Sequence, residues 1–144
     1  MTATPAAGTG DSTTGWSQDE LTRIGDATEV RLAVRRADGT LRPYTIMWLV
    51  RVGEDLYVRS AGGPDRPWYR HALASGVGSI RAAGLERAVG FGEPTDARLH
   101  DAIDRVYHAK YDRYGPGPVS HVTGPAAHPV TVRLLKNDPA GSQP

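Results

Sequence analysis

The chain has 144 residues, a formal net charge of +1, 39% hydrophobic residues and 23% charged residues, which is the composition of one ordinary globular domain. A charge this close to zero excludes a strong electrostatic field for nucleic acid or anionic lipid, and no apolar run approaches the roughly 20 residues of a membrane span. The sequence has no cysteine, which excludes disulfides and thiolate chemistry and, with no recognisable signal peptide, predicts a cytoplasmic protein.

The two ends of the chain differ in composition from its middle. Residues 1–15 are mostly Thr, Ala, Gly and Pro with almost no apolar side chain to bury, so they are predicted to form a disordered tail. Residues 137–144 are similar. The folded domain is therefore expected to span residues 16–136.

A short helix is predicted at the start of this domain. Ser17 and Glu20 have the spacing of a capping box, in which each side chain accepts a hydrogen bond from the other residue's amide. Gly25 is a natural end for the helix. Apolar side chains then alternate at positions 30, 32 and 34, which predicts a strand with one buried face.

The next segment is predicted to form a hairpin. Asp38 and Gly39 supply the turn, because glycine adopts positive φ at little cost. Residues 44–52 are apolar on both faces, which predicts a single central strand covered on both sides. A second turn at residues 53–55 leads into a strand at residues 56–59.

The rest of the chain continues with short elements. Pro67 and Gly76 are placed to begin and end a helix over residues 68–75, and two strands are predicted near residues 79–82 and 86–91. Thr95 or Asp96 can cap a helix that runs to about Tyr114, followed by an irregular loop at residues 115–127 and a last strand near residues 130–134. About six strands with hairpin turns and few helices predict an antiparallel barrel with helices packed outside it.

Two familiar kinds of site are not predicted. The glycines that begin at Gly76 lack the third glycine of a dinucleotide-binding turn. The five histidines show no metal-ligand spacing, since His100 and His108 share a predicted helix but stand eight residues apart. No metal site is expected, and these histidines, like Asp101 and Asp104, are predicted to lie on a solvated surface.

Basic, glycine-rich and aromatic residues gather between the first hairpin and the second helix. A helix N-terminus and arginine side chains bind phosphate or carboxylate, and glycines let a flat ring approach the backbone. A phosphate-bearing aromatic ligand would match this chemistry. The alternative, that the arginines are solvated and the aromatic residues belong to the core, stays open. The residues concerned are Arg35, Arg36, Arg42, Arg59, Ser60, Gly62, Gly63, Arg66, Trp68, Tyr69, Arg70 and His71.

Three stretches resemble the deazaflavin-dependent nitroreductase family, in which a basic glycine hairpin and a proline-led strand precede a Ser/Gly-Gly loop and a Pro-x-Trp-Tyr helix. They are residues 35–50, 56–63 (LYVRSAGG) and 67–73 (PWYRHAL). Over residues 16–135 the chain more closely resembles DUF2255, a family of uncharacterised actinobacterial proteins related to flavin-binding split barrels. The resemblance implies a mainly β, α+β fold: an antiparallel split β-barrel of about six strands with two to four peripheral helices.

The resemblance also implies a flavin- or deazaflavin-type oxidoreductase that uses FMN or F420 on a small organic substrate. Residues 44–47 would flank the cofactor ring, residues 60–63 would touch its polar edge, and the arginines would face its phosphate. The implied cofactor contacts are Arg35, Arg36, Thr40, Arg42, Tyr44, Ser60, Gly62, Gly63, Trp68, Tyr69 and Arg70. The catalytic candidates are His71, Tyr107 and Tyr111.

Two residues depart from the nitroreductase pattern. Asp38 stands in the hairpin, where it would repel a phosphate, and His71 stands in place of an asparagine. They favour two alternatives that stay open: a cofactor-free barrel enzyme with cyclase- or isomerase-type acid–base chemistry in natural-product biosynthesis, and a small-molecule binding protein. The apolar strand around Trp48 further predicts a homodimer.

Overall fold

The computed structural model describes residues 15–94 and 96–137. The two predicted tails lie outside the described residues except for Gly15 and Asn137, as does Thr95. No helix in the described part of the chain has the length and apolar composition needed to cross a membrane.

The strands are β1 (Val30–Val34), β2 (Thr45–Met47), β3 (Val50–Val52), β4 (Asp55–Arg59), β5 (Val77–Ala82), β6 (Leu85–Gly92) and β7 (Thr131–Lys136). The helices are α1 (Gln18–Gly25), α2 (Pro67–Ser75), α3 (Ala97–Tyr111) and α4 (Pro116–Ser120), with 3-10 turns at Asp112–Tyr114 and His128–Val130.

All seven strands form one antiparallel sheet in the order β2-β1-β5-β6-β7-β4-β3. Strands β2 and β3 therefore lie at opposite edges, although only Trp48 and Leu49 separate them in the chain. In a flat sheet the edges would be about 29 Å apart, whereas the three chain steps from Met47 to Val50 reach at most about 11 Å. The sheet must therefore curl until its two edges come within about 11 Å of each other at this crossing. The fold is thus an α+β split-barrel-like half-barrel, as predicted, with seven strands instead of about six.

The prediction of one central strand over residues 44–52 is wrong. The segment breaks into β2 and β3, and both are edge strands. Its apolar character on both faces has another cause. Leu49 is fully buried at the break, whereas the Trp48 ring stacks on Tyr111 and Ile46 remains 49% exposed. The alternation of apolar residues therefore reflects a crossing from one sheet edge to the other.

The helices agree with the predictions more closely. Helix α1 has the capping box of Ser17 and Glu20, and Gly76 ends α2 in the left-handed conformation with φ 79°. Two details differ. The segment at residues 115–127, predicted to be irregular, contains α4, which Pro116 begins. Helix α3 ends at Tyr111 and not near Tyr114, because the chain tightens there into a 3-10 turn.

The core has two parts. The larger part fills the barrel interior and includes Leu21 and Ile24 of α1, so this helix covers one end of the sheet. The smaller part lies where α3 packs on β3 and β4, around Tyr57, Tyr107 and Tyr111. The buried residues of α3 are His100, Ile103, Tyr107 and Tyr111. Its core face is thus built largely from aromatic side chains.

Glu20 joins α1 to strands β6 and β7 of the sheet. Its carboxylate accepts from the Ser17 amide at 2.9 Å, from Arg87 of β6 at 2.7 Å and from Lys136 of β7 at 3.1 Å. Burial alone would raise the pKa of Glu20, but these hydrogen bonds outweigh burial and lower it to about 2. The ionised carboxylate therefore stabilises the folded state.

Glu20→Gln should destabilise the protein at neutral pH by about 3 kcal/mol and weaken its response to acid. Since the pKa of Glu20 is lower in the folded than in the unfolded chain, its contribution is complete above about pH 4.5 and is lost as the pH falls towards 2. Urea unfolding at several pH values measures both effects. Equal slopes of stability against pH for the wild type and the variant would contradict the assignment.

Two fully buried tyrosines of α3 differ in their hydrogen bonds. The Tyr111 hydroxyl accepts from the Leu49 amide at 3.2 Å and can donate to the carbonyls of Thr28 at 2.7 Å and Leu49 at 3.1 Å. The Tyr107 hydroxyl has no hydrogen-bond partner among the described residues. The two tyrosines therefore allow a comparison, on one face of α3, between a ring whose hydroxyl is hydrogen-bonded and a ring whose hydroxyl is not.

Tyr111→Phe should cost about 1–3 kcal/mol of unfolding free energy, because it leaves buried backbone groups without a partner. Tyr107→Phe, its matched control, should stay within about 0.5 kcal/mol of the wild type, since it removes a hydroxyl that has no partner. Chemical denaturation measures both values. Equal losses for the two variants would show that ring packing alone matters here.

Candidate functional site

A cavity of about 640 Å³, here called the main cavity, lies beside edge strand β2. One wall is formed by β2 and the residue after it, a second by the end of β4 and the start of α2, and the third by α4 and the two residues that follow it. The lining residues are Thr45, Ile46, Met47, Trp48, Arg59, Ala61, Gly62, Arg66, Trp68, Pro118, His121 and Val122.

Two tryptophans give the main cavity its aromatic character. Trp48 is held by stacking on Tyr111, with ring centroids 4.1 Å apart and planes within 9°. Trp68 is held by an edge-on contact with Tyr69, with centroids 5.8 Å apart. Because each ring packs on a buried tyrosine, the aromatic surfaces are preorganised. They can hold a flat ligand by stacking.

The wall formed by β2 also offers backbone polar groups. One edge of β2 pairs with β1, in a register that places Thr45 opposite Leu32 and Met47 opposite Val30. No other strand of the described chain pairs with its second edge. Half of the amides and carbonyls of an antiparallel edge strand point away from the sheet. They are available to a ligand in the main cavity.

The opposite wall carries positive charge. Arg66 is the N-cap of α2 and no side chain caps the helix, so the amides of Trp68 and Tyr69 are its free donors. The Arg66 side chain lies directly on Gly62, where a Cβ atom would come within 1.7 Å of the guanidinium. Glycine at position 62 therefore lets Arg66 lie against the loop at the cavity wall.

Two further pockets continue the main cavity along α2. A small pocket of about 230 Å³ shares Thr45 and Trp68 with the main cavity and is also lined by Arg42 and His71. A larger one of about 560 Å³, here called the basic pocket, shares Arg42 and His71 with the small pocket and adds Arg35 and Arg36. The three form a row that is aromatic at one end and basic at the other.

Two arginines of the basic pocket donate to neutral oxygens: Arg35 to the Gly39 carbonyl, and Arg36 to the Thr40 hydroxyl and the Leu41 carbonyl. None of Arg35, Arg36 and Arg42 forms an ion pair with a carboxylate in the described chain, and the buried Nε of Arg42 has no hydrogen-bond partner there. Partial burial, together with Arg42, Arg70 and Arg36, lowers the pKa of His71 below its usual value. Burial is the largest cause of this shift, and the positive charge of the arginines acts in the same direction.

Asp38 does not line the basic pocket. Its carboxylate is turned into the hairpin, where it accepts from the Thr40 hydroxyl at 2.7 Å and the Thr40 amide at 3.0 Å. The hydrogen bond from the Thr40 hydroxyl is the main reason why the pKa of Asp38 is lowered. Thr40 and Asp38 thus stabilise the turn that presents the arginines.

The other implied cofactor contacts line none of the three pockets. The Tyr44 hydroxyl bonds to Ser79 at 2.9 Å, and Arg81 lies 4.4 Å from its ring centre. Ser60 is buried and donates to the carbonyl of Gly63 at 2.6 Å, which closes the loop before α2. Tyr69 donates to the carbonyl of Pro129 at 3.0 Å, and Arg70 is exposed on α2.

The two tyrosine candidates lie in the core and line none of the three pockets. Burial raises the pKa of Tyr111 to about 12 and also raises that of Tyr107. Both hydroxyls therefore stay protonated at neutral pH. Tyr111 affects the cavity through the ring of Trp48, and a catalytic role for either tyrosine stays a prediction.

A buried arginine connects the main cavity to α3. Arg59 of β4 is 2% exposed and donates to the Thr131 hydroxyl at 2.8 Å, the Val122 carbonyl at 2.7 Å and the Asp104 carboxylate. Asp104 also accepts from His128 at 3.1 Å. Burial alone would raise the pKa of Asp104, but hydrogen bonds from Arg59 and His128 outweigh it and lower the pKa.

The prediction that His100 and Asp104 are solvated is wrong. His100 is 7% exposed and stacks on His128 with ring centroids 4.8 Å apart, and burial is the main cause that lowers its pKa. Their spacing of four residues on α3 was a usable signal, because it places both on one helix face. The sequence could not reveal their partner, since Arg59 is 41 residues from His100.

Sequence reasoning also missed the third wall of the main cavity. Pro118, His121 and Val122 belong to the segment that was predicted to be an irregular loop. Pro116, at the first position of α4, was the available signal for a short helix.

The comparisons with known proteins identify a family and a fold. The family model DUF2255, described as an uncharacterized protein conserved in bacteria, matches residues 20–134. No curated protein matches the chain.

Several solved structures are similar to the chain. An F420-H2 dependent reductase, FDR-A, aligns over 76% of this chain and 94% of its own, with 14% identity and a TM-score of 0.54. A FAD-binding protein from Mesorhizobium loti aligns over 85% and 91%, with 20% identity and a TM-score of 0.51. HutZ, a heme storage protein from Vibrio cholerae, aligns over 84% and 90%, with 13% identity and a TM-score of 0.57. At these identities the likeness shows the fold.

Asp104→Asn should destabilise the protein by roughly 2–4 kcal/mol, because it leaves the buried charge of Arg59 without its counter-ion. Asp65→Asn is the matched control, since Asp65 is an exposed carboxylate in the loop before α2 and lies outside this network. The control should change the unfolding free energy by less than about 0.5 kcal/mol. Thermal or urea unfolding distinguishes the two variants, and equal effects would contradict a structural role for the Arg59–Asp104 pair.

Proposed function

This chain belongs to the DUF2255 family, and we propose that it is an oxidoreductase that binds a flavin-type cofactor, FMN or F420, and acts on a small organic substrate. The observation that carries the proposal is the row of three pockets, which changes from aromatic to basic along α2. A flavin has the same polarity, with a flat ring at one end and a phosphate at the other.

The main cavity suits the ring end. Trp48 and Trp68 offer apolar surfaces, and the free edge of β2 offers amides and carbonyls to the polar rim of a ring. Gly62 lets the Arg66 side chain lie against the loop at the cavity wall. Arg66 and the start of α2 add donors for an anionic ring or a substrate oxygen.

The basic pocket suits the phosphate end. The unpartnered Nε of Arg42 is a donor that a phosphate oxygen would satisfy. Arg35 and Arg36 add charge, and His71 adds an imidazole that a dianion would help to protonate. The Asp38 carboxylate is held by Thr40 and does not line this pocket.

The similar structures support the proposal at the level of the fold. Three of them are an F420-H2 dependent reductase, a FAD-binding protein and a heme storage protein. When bound, a flavin-type cofactor would supply hydride transfer, and the residues of this chain would bind and orient it and its substrate. The homodimer stays a prediction, which light scattering would test.

Arg42→Ala should weaken binding of FMN by about 5- to 150-fold, corresponding to a charged hydrogen bond of about 1–3 kcal/mol. Binding of riboflavin, which lacks the phosphate, should stay within two-fold. Arg98→Ala is the charge-matched control, because Arg98 is exposed on α3 and lines none of the three pockets. Fluorescence titration of FMN, riboflavin and F420 gives these affinities.

Equal losses for FMN and riboflavin would contradict the phosphate assignment. A protein that binds neither FMN nor F420 at saturating concentration would overturn the proposed function. It would leave the two alternatives, a cofactor-free acid–base enzyme and a small-molecule binding protein.

A further inference from the structure

His121 occupies a defined place at the mouth of the main cavity. It follows α4 directly, and its amide donates to the carbonyl of Pro118 at 3.2 Å. Its neighbours Val119 and Val122 are 1% and 3% exposed, whereas His121 itself is exposed and lines the cavity. Two buried valines therefore fix the backbone on either side of this imidazole.

The backbone after His121 is also tied to the barrel wall. The carbonyl of Val122 accepts from the buried guanidinium of Arg59 at 2.7 Å, and Thr123 donates to the carbonyl of Val119 at 2.9 Å. Arg59 is held in turn by Thr131. The position of the His121 backbone is thus set by the same network that forms the cavity floor.

The chemistry of the lining residues singles out His121. The ionisable side chains that line the main cavity are Arg59, Arg66 and His121. Arginine stays protonated throughout the pH range of proteins and cannot exchange its proton. Imidazole gains and loses a proton near neutrality. Of the residues that line the main cavity, His121 is therefore the one suited to proton transfer.

We propose that His121 is the proton donor of the main cavity, delivering to the bound substrate the proton that accompanies each hydride. The inference rests on the proposed function, in which a reduced flavin-type cofactor supplies the hydride. The π bond of the acceptor breaks. The hydride bonds to one of its two atoms, and the proton of the imidazolium bonds to the other. The cofactor is oxidised by two electrons, and His121 becomes neutral.

Exposure of His121 completes the cycle. Because the ring reaches solvent, water can return a proton to it after each turnover. His71, the other histidine near the row of pockets, lines the small and basic pockets and not the main cavity. The two histidines thus have separate roles, His71 at the phosphate end and His121 at the substrate end.

The first experiment asks whether His121 faces the ligand. Histidine ring resonances of the full chain are recorded by NMR during titration with FMN and with F420, and are assigned with His121→Gln and His108→Gln. His108 is the matched control, because it is exposed on α3 and pairs with Asp112 outside the cavity. We expect the His121 resonances to shift on cofactor binding and those of His108 to stay. Binding without any shift at His121 would overturn this inference alone.

The second experiment asks whether His121 transfers the proton. The probe is 2,6-dichlorophenolindophenol, which takes up a hydride and a proton from the reduced, cofactor-loaded enzyme. His121→Ala should lower the rate of dye reduction at least 10-fold, leave the cofactor affinity within two-fold, and recover activity with added imidazole. His108→Ala should match the wild type.

The outcomes separate the two proposals. An unchanged rate in His121→Ala, or a loss that imidazole does not rescue, would overturn the role of His121 while cofactor binding stands. If neither cofactor binds, or if the loaded wild type does not reduce the dye, the proposed function fails and this inference fails with it.

Discussion

The closure of the sheet on itself depends on the short connection between β2 and β3. Trp48 and Leu49 bridge the two edges of the sheet, and this crossing exposes backbone groups that no strand can pair. Helix α3 supplies their partners: Tyr111 bonds to both the amide and the carbonyl of Leu49, and Lys110 donates to the same carbonyl at 2.7 Å. Burial lowers the pKa of Lys110 to about 8, so this contact is made at some cost in desolvation. The same crossing sets the Trp48 ring on Tyr111 and so forms a wall of the main cavity.

A second constraint is electrostatic. Arg59 is buried in β4, and a buried charge is tolerated when its donors are satisfied. Asp104 of α3, Thr131 of β7 and the carbonyl of Val122 provide those acceptors from three separate elements. One guanidinium therefore fixes the helix, the sheet and the segment that carries His121. Arg59 and Val122 also line the main cavity, so this network holds part of its wall.

Much of the fold could be predicted from local signals. The capping box of Ser17 and Glu20 and the Pro67–Gly76 pair marked α1 and α2 closely, because caps act over three or four residues. Long-range features could not be read in this way. The strand break at Trp48 depends on which edges meet, and the network of Arg59 joins residues far apart in sequence. Similarly, the sequence indicates the arginines of the hairpin, but it does not indicate that Pro118, His121 and Val122 form the third wall of the main cavity.

The two departures from the nitroreductase pattern have different meanings once the geometry is considered. Asp38 would oppose an anion if its carboxylate faced the basic pocket, but Thr40 holds it within the turn. His71 faces the pocket, and partial burial and the neighbouring arginines lower its pKa. A bound phosphate would offset the repulsion from the arginines and favour the protonated imidazole. The positive charge of the protein at this site would therefore increase when the anion binds. An asparagine could donate a hydrogen bond there but could not respond in this way. The histidine is therefore compatible with a phosphate site and need not indicate its loss.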